Sequence, residues 1–585
     1  MEVECIFEVK LTGKRFKGGS GKDRMIHAVT VAVNEDPSER VPPLCKPNCV
    51  EDDFTEEEVQ SAMYDEYQSF EHFNVADEVL VSEIPREDWP SVGANLEHVV
   101  SCKWVPPKRK ASGKVRMRLV CRGFNEPVYD KDETYASTPG ITSLKLVLNH
   151  ALNKGHKVYV GDISTAFLHA DVKGTVYVRP PPDYVPKKNV KAGDQVLWKL
   201  KKAMYGLKSA PKSWQTHFVS VLIDMGFQQM KSDPCLFVKQ VGDTFILVQV
   251  DDLLITAQSE AIIMKITKEI KKHVLLRDVG WLTQSSPIDF IGGQIIHRGN
   301  MLSFWINPDY IKKIVKEMHL ESAKNTLTTG VKMSEDDDLM EKPMETADGK
   351  LMPSYNRIKG MSMWLLRFRP DIQYAVKEVC KDNDSDELVP ARPSSGKKLK
   401  HLVKYLKTTA LYQLNFHQHV MEGKPSEIDV HSDADWAGCS KTRKSTSGYC
   451  ISVTGNLIHS VSRTQGAIAL SSAESELYAL CSATCDALHL KHLMEESGLG
   501  KAPMVINLYT DSSAAKSIVS RAGPGKRSKH IQLKYLFIQE LVLDGQVKIH
   551  KIHTDLNKSD LMTKYLSHDK TRAHSYGLGC YPHFQ

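Results

Sequence analysis

Residues 245–256 read FILVQVDDLLIT. Asp251 and Asp252 stand between two apolar runs rich in Val, Ile and Leu, the composition of strands. Two strands meeting at an acid pair predict a hairpin with charge at its tip. Burying that charge without a partner is costly or forces protonation. A divalent cation removes the difficulty, and a solvated Asp-Asp turn avoids it. The rest of the chain has to separate these two readings.

The chain has 585 residues, enough for several domains, with 41% hydrophobic and 25% charged residues, as in ordinary soluble proteins. No apolar run approaches the roughly 20 residues that cross a bilayer. The first residues lack the apolar core of a secretory signal. The 12 cysteines are scattered, which suits a reducing compartment; the pairs Cys45/Cys49 and Cys481/Cys485 read as structural. The net charge of +6 points only weakly toward polyanions.

Outward from the hairpin, Met63, Tyr67 and Phe70 fall at helical spacing. In the stretch 102–123, Val115, Met117 and Leu119 alternate with Arg116 and Arg118, so both arginines share one face of a strand. With the lysines around them they form a basic hairpin, read either as a phosphate grip or as a charged edge strand. Val158 and Val160 alternate toward Asp162 at a strand end, and Phe167 follows at the opening of a helix. Asp162 also suits a helix cap, and Phe167 a core position. Tyr205-Gly206 precedes a loop and a helix that opens near Pro211. Residues 262–277 read as a basic helix, 290–296 (FIGGQII) as a strand with a tight Gly-Gly, 310–320 as a helix and 326–350 as a linker. Helix is again expected over 355–376, broken near Pro370, and over 399–407.

The last block has its own rhythm. Strands are expected at 427–438, 449–453, 467–470, 505–510 and 547–552, with helices at 471–493 and 531–543. This alternation predicts an α/β layered domain. Asp433, Asp511 and Asp560 fall at element ends and Glu476 in the first turns of a helix. Ser471-x-x-Glu474 is a capping box, which gives Glu474 a structural task. Four converging acids repel unless cations sit among them. Two Mg²⁺ ions roughly 3.5–4 Å apart suit such a cluster and serve phosphodiester cleavage. Asp162, Asp251 and Asp252 repeat the logic. There a cation pair would act on a primer 3′-hydroxyl and a nucleoside triphosphate, with Arg116 and Arg118 neutralising phosphate charge. A ring at Phe167 would exclude a ribose 2′-hydroxyl.

The motifs CKWV, RLVCRG, DISTAFLHADV, KKAMYGLKSAPKSW, SDPCLF, VDD, RPDIQYAV, SDADWAGC, STSGYC, ALSSAESELYAL, YTDSSAA, SKHIQLKYLFI and SDLMTK occur in this order. From Glu58 to near Leu566 the chain resembles the reverse transcriptase and ribonuclease H segment of a Copia-type retrotransposon Pol polyprotein. The resemblance implies an α+β right-hand polymerase of fingers, palm and thumb, then a connection and an α/β ribonuclease H-like domain. Its expected divisions are an unassigned segment 1–57, the polymerase at 58–325, linker and connection at 326–425, the ribonuclease H-like domain at 426–575 and a tail at 576–585. It implies Asp162, Asp251 and Asp252 as polymerase metal ligands, and Asp433, Glu476, Asp511 and Asp560 as nuclease ligands. Asp435 rivals Asp433, which is preferred as the residue where the strand should end. Each site would hold two Mg²⁺, with Mn²⁺ as a substitute. Arg116, Arg118, Phe167, Tyr205 and Gly206 match nucleotide contacts.

Gln249 replaces the family's usual aromatic residue two before the acid pair, which bears on template–primer contact or turnover. The implied partners are an RNA template, a DNA primer, RNA–DNA hybrid and deoxynucleoside triphosphates, with integrase or self-association besides and no membrane. The implied setting is the cytoplasm, within virus-like particles, and the nucleus. No protease or integrase is recognised in residues 1–57, so a processed product, a truncated copy or a host-retained remnant is expected. The rival reading is a catalytically silent nucleic-acid-binding descendant; a third is a nuclease alone.

Overall fold

The computed structural model describes residues 54–93, 96–109, 113–126, 134–191, 193–240, 243–332, 355–381, 393–419, 426–440, 442–500, 503–523 and 536–582. Cys45 and Cys49, residues 333–350 of the expected linker and residues 531–535 of the expected late helix lie outside them. Mixed helix and sheet appear as expected for a polymerase hand joined to a ribonuclease H-like layer. Among the described residues no helix is long and apolar enough to cross a membrane.

The hairpin at 245–256 forms as read. Strands Thr244–Gln249 and Asp252–Ala257 pair antiparallel, and Val250 takes φ +54° in the turn between them. Strand Lys157–Ile163 pairs with the second arm, and Leu276–Trp281 pairs with Lys157–Ile163 at the sheet edge. Leu236–Lys239 and Gln228–Gln229 complete this six-stranded palm sheet on the other side. Tyr159, Ile246, Leu253 and Ile255 pack under it against the helices Ala210–Asp224 and Glu260–Ile270. Helix Ile141–Lys154 covers the opposite face, with Leu144, Val147 and Ala151 against Val160, Leu247 and Leu254.

The basic hairpin forms from Val100–Arg109 and Val115–Cys121. Its second strand alternates as read: Val115, Met117, Leu119 and Cys121 are buried, while Arg116 and Arg118 are half-buried on the other face. Helix Glu56–His72 packs on this strand, and buried Glu66 accepts a hydrogen bond from Leu119 N. That helix begins inside the segment expected to end at 57, capped by Thr55.

Several sequence expectations need correction. The helix read at 262–277 ends at Ile270, because residues 276–281 are taken by the palm edge strand. The stretch 290–296 is a hairpin, not one strand. Ile291 (φ +50°) and Gly292 (φ +66°) supply the two left-handed residues of a tight turn between Ile288–Phe290 and Gly293–Arg298. The strand expected at 467–470 is a loop; the strand lies earlier, at Asn456–Thr464. The expected tail carries strand Cys580–Pro582, which pairs with Tyr412–His417.

That last pairing closes a five-stranded sheet in which Met301–Trp305 lies between Gly293–Arg298 and Tyr412–His417. Residues on both sides of three expected boundaries therefore share one sheet. A buried network under it joins Arg369, Asp371, Tyr405 and Thr409, with Cys580 Sγ on Asp371. The last sheet runs in the order Asn456–Thr464, Thr446–Val453, Glu427–Asp435, Val505–Thr510, Val547–Lys551, antiparallel on one side and parallel on the other. Helix Ser472–Ser497 lies across it. One continuous apolar core runs from helix Ile141–Lys154 to this sheet. Asn149 ties the two across the seam, donating to Val453 O (3.3 Å) and accepting from Asn456 Nδ2 (2.8 Å).

Candidate functional site

The palm acids meet through strand register. Asp252 is the direct cross-strand partner of Asp162, and Asp251 sits in the turn one residue before. Asp251 O accepts from Ile163 N (2.7 Å), and Val250 O accepts from Trp214 Nε1 (2.6 Å), so the turn is held from both sides. Burial, and next the charge of Asp251, push the Asp252 carboxyl up to about 6. Asp251 is also raised, by burial and then by Asp162 among its causes. Both shifts arise first from burial of the carboxyls, a penalty that a bound cation would offset.

Asp162 has a cation already. Arg277, its cross-strand neighbour on the other side, reaches Asp162 Oδ2 with Nη2 at 3.0 Å and Nε at 3.1 Å. Sequence reading missed Arg277 because it placed that residue in a helix. Among the described residues the three palm acids do not converge within 4.8 Å. They do line one cleft of about 980 Å³, together with Arg116, Arg277 and Lys114.

Phe167, Tyr205 and Arg118 form a second group, in contact with one another but not among the residues lining that cleft. The Arg118 guanidinium lies over the Tyr205 ring at 5.2 Å, and Phe167 meets the same ring edge-on at 4.9 Å. Burial pushes the Tyr205 hydroxyl up to about 12. Gly206 follows with φ +89°, and a Cβ there would fall 2.1 Å from Cys121 O. The loop therefore rests on the basic strand through a glycine, and Cys121 N donates to Tyr205 O at 2.7 Å. Gly206→Ala is expected to cost about 2–4 kcal/mol through this clash and the left-handed backbone, read as a lower Tm and faster proteolysis. Gln249, paired with Asp252, does not line the cleft.

The second set of acids converges more tightly. Strand Glu427–Asp435 ends at Asp435 and not, as expected, at Asp433, which lies two residues inside it, while Asp511 directly follows Val505–Thr510. These strands pair parallel, with His431 opposite Tyr509, so both acids leave the sheet at one edge. Asp560 sits in a 3₁₀ turn, Lys558–Met562. Carboxylate oxygens of Asp433, Asp511 and Asp560 lie within 4.8 Å of one another. The turn approaches because Asp433's cross-strand partner is Gly448, where a Cβ would meet Met562 Cβ at 2.7 Å. Asn557 Nδ2 pins it further by donating to Ser432 O (3.0 Å).

Glu476 lies beside this cluster on its helix, near enough to feel Asp433 and Asp511 but outside the set that converges within 4.8 Å. Burial, then Asp433 and Asp511, push its carboxyl up to about 9, and its Oε2 is buried with no hydrogen-bond donor. Burial and Asp433 push Asp560 up to about 7. Lys564 and Thr563 were not foreseen. Lys564 Nζ lies 3.1 Å from Asp560 Oδ1 and 3.6 Å from Asp433 Oδ2, and Thr563 Oγ1 donates to Asp433 Oδ2. Their signal was the spacing SDLMTK, which puts Lys564 one turn beyond Asp560.

Asp435 lies on the same strand but outside this group. Glu474 is engaged structurally: its N takes Ser471 Oγ, while its carboxylate accepts from Leu470 N (2.8 Å) and Tyr478 OH. The reciprocal bond thus goes to Leu470 rather than to Ser471.

Residues 92–332 match the family model described as reverse transcriptase (RNA-dependent DNA polymerase). The chain is 28% identical over 486 residues to the retrovirus-related Pol polyprotein from transposon TNT 1-94 of Nicotiana tabacum, covering 80% of this chain and 35% of that protein. This chain carries a Copia-type reverse transcriptase domain. The chain is also 27% identical over 504 residues to the Pol polyprotein from transposon RE1 of Arabidopsis thaliana, covering 83% and 32%. The transposon Ty1-GR2 Gag-Pol polyprotein of Saccharomyces cerevisiae is 25% identical over 467 residues, covering 78% and 26%. The chain thus spans about a third or less of the length of these relatives. Among solved structures, a foamy viral protease-reverse transcriptase in complex with double-stranded DNA aligns over 88% of this chain and 74% of that one, at 12% identity and TM-score 0.49.

Proposed function

We propose that the chain is an RNA-directed DNA polymerase that also cuts the RNA strand of RNA–DNA hybrids, with a separate acid centre for each reaction. The observation that carries this reading is the pairing of Asp252 with Asp162 beside Asp251, all three lining a cleft large enough for a primer end and a nucleotide. The buried Glu476 Oε2 with no hydrogen-bond donor in one centre, and the raised Asp251 and Asp252 carboxyls in the other, fit divalent cations. Asp162, Asp251 and Asp252 would hold them in the palm, and Asp433, Glu476, Asp511 and Asp560 in the nuclease. Mg²⁺ bound there would supply Lewis acidity to the attacking and leaving oxygens.

The chain's own groups do the rest. Arg116 and Arg118 offer guanidinium forks to triphosphate oxygens. Arg277 holds Asp162 neutralised until the cleft fills, then yields that carboxylate. The Phe167–Tyr205 ring pair would have to face the sugar of a bound nucleotide to admit a deoxyribose and reject a 2′-hydroxyl. In the nuclease, Lys564 and Thr563 orient Asp560 and Asp433. Phosphate contacts would be independent of sequence, so binding should weaken steeply with salt.

The decisive test is one tube holding an RNA template, a DNA primer, deoxynucleotides and a labelled hybrid. Extension and cleavage are both expected on adding Mg²⁺. Hybrid bound yet unchanged in both assays would return the silent-descendant reading, against which all seven acids stand intact in the sequence. Phe167→Val is expected to relax discrimination against ribonucleotides by about 10–100-fold, measured as the ratio of kcat/KM for the two sugars.

A further inference from the structure

Away from both acid centres, His150, His156 and Asp243 bring one ligand atom each to within 4.8 Å of one another. His150 lies in the last turn of helix Ile141–Lys154. The helix ends on Gly155 in the left-handed region, and His156 N bonds back to Ala151 O (2.9 Å), which swings the second imidazole beside the first. Asp243 comes from the turn that opens strand Thr244–Gln249, and its own φ of +47° aims the side chain at both rings.

The distances suit a shared ion. Asp243 Oδ2 lies 3.1 Å from His150 Nε2 and 3.5 Å from His156 Nε2. The shorter contact is a hydrogen bond, and both distances are also those of ligands that share one ion. Tetrahedral zinc, with bonds of about 2.0–2.1 Å, separates its ligands by about 3.3 Å. Both rings are locked: they meet edge-on at 5.3 Å, and His150 also packs edge-on against Phe245 at 5.1 Å. The side chain of His156 is 3% exposed and its Nδ1 has no hydrogen-bond partner, so Asp243 is the polar group that holds this ring. The Asp243 side chain is 33% exposed and leaves a path for an ion from solvent.

We propose that His150, His156 and Asp243 form a zinc site, with water in the fourth position. Two imidazoles and one carboxylate select a borderline transition ion over Mg²⁺, which prefers oxygen ligands. The role is structural. The ion joins the end of helix Ile141–Lys154 to the turn before the arm that carries the palm acids. The same helix grips Val453 and Asn456 through Asn149, so the site also stiffens the seam with the nuclease sheet.

The test uses the full chain, stripped of metal and titrated calorimetrically with Zn²⁺ in a large excess of Mg²⁺. Asp243→Asn keeps the side-chain shape and tolerates the left-handed backbone; His156→Gln is the second variant. The parent is expected to bind one equivalent more Zn²⁺ than either variant, with a Tm raised by zinc only in the parent. Co²⁺ in the parent should show tetrahedral visible absorption that both variants lose. Circular dichroism matched to the parent establishes that the variants are folded; a variant that fails to match is replaced by His150→Gln. Equal zinc stoichiometry in parent and folded variants would overturn the site, whatever the polymerase and nuclease assays give.

Discussion

Asp251→Asn is expected to lower primer extension by about 10³-fold or more, while hybrid cleavage stays near the parent rate. The magnitude follows if the removed carboxylate would neutralise a cation in the half-buried palm site: about 4 kcal/mol of transition-state stabilisation is about a thousandfold in rate. The fold should survive. Asparagine is isosteric, and the turn is held by backbone bonds from Ile163 N and Trp214 Nε1 that the substitution leaves alone. Without metal the variant should even gain stability, because the Asp251 charge is one of the causes that push Asp252 up to about 6. Primer-extension rates under single-turnover conditions, with hybrid cleavage as the internal control, check this. Parental extension by Asp251→Asn would remove the palm assignment.

The second large effect is Glu476→Gln, which should reduce hybrid cleavage by a similar factor with primer extension retained. It carries a pH signature of its own. In the metal-free chain the Glu476 carboxyl is raised to about 9 from an ordinary value of 4.5, and Asp560 to about 7 from 3.8. The folded state therefore holds protons that the unfolded state releases. The stability these groups contribute is full below about pH 4 and is lost as pH rises through the raised values. The parent in EDTA should thus weaken from about pH 4 to pH 9, and Glu476→Gln should recover about 2–4 kcal/mol at the upper end. Added Mg²⁺ should reverse the parent's loss and do less for the variant. Urea denaturation at about pH 6 and pH 9, with and without Mg²⁺, reads this directly; a parent whose metal-free stability rises over that interval would contradict the cluster.

Two close glycines show how local chemistry and tertiary contact divide the work. Gly206 needs its left-handed backbone to make a turn, and Tyr205-Gly206 is legible as such in sequence. Gly448 has an ordinary strand position, and only the arrival of the turn at Lys558–Met562 makes a side chain there intolerable.

The same division runs through the whole molecule. Two short apolar runs on either side of an acid pair determined the palm hairpin, and period-two alternation put Arg116 and Arg118 on one face. Those features are local, so a local pattern suffices to specify them. Asp511 at its strand end and the acid pair at the hairpin turn were legible for the same reason. Residues 276–281 did not declare themselves as a strand, because an edge position buries little and leaves no sharp apolar pattern. The loop at 467–470 looked like a strand through its apolar residues, yet its backbone is spent on Trp436 Nε1 and on Glu474. What only the tertiary structure decided are the long-range partners: Arg277 against Asp162, Lys564 between Asp433 and Asp560, Cys580–Pro582 against Tyr412–His417, and two imidazoles around Asp243. Sequence fixes what each segment can offer, but the pairing of distant segments depends on which surfaces the shared core brings within reach, and no local period encodes that.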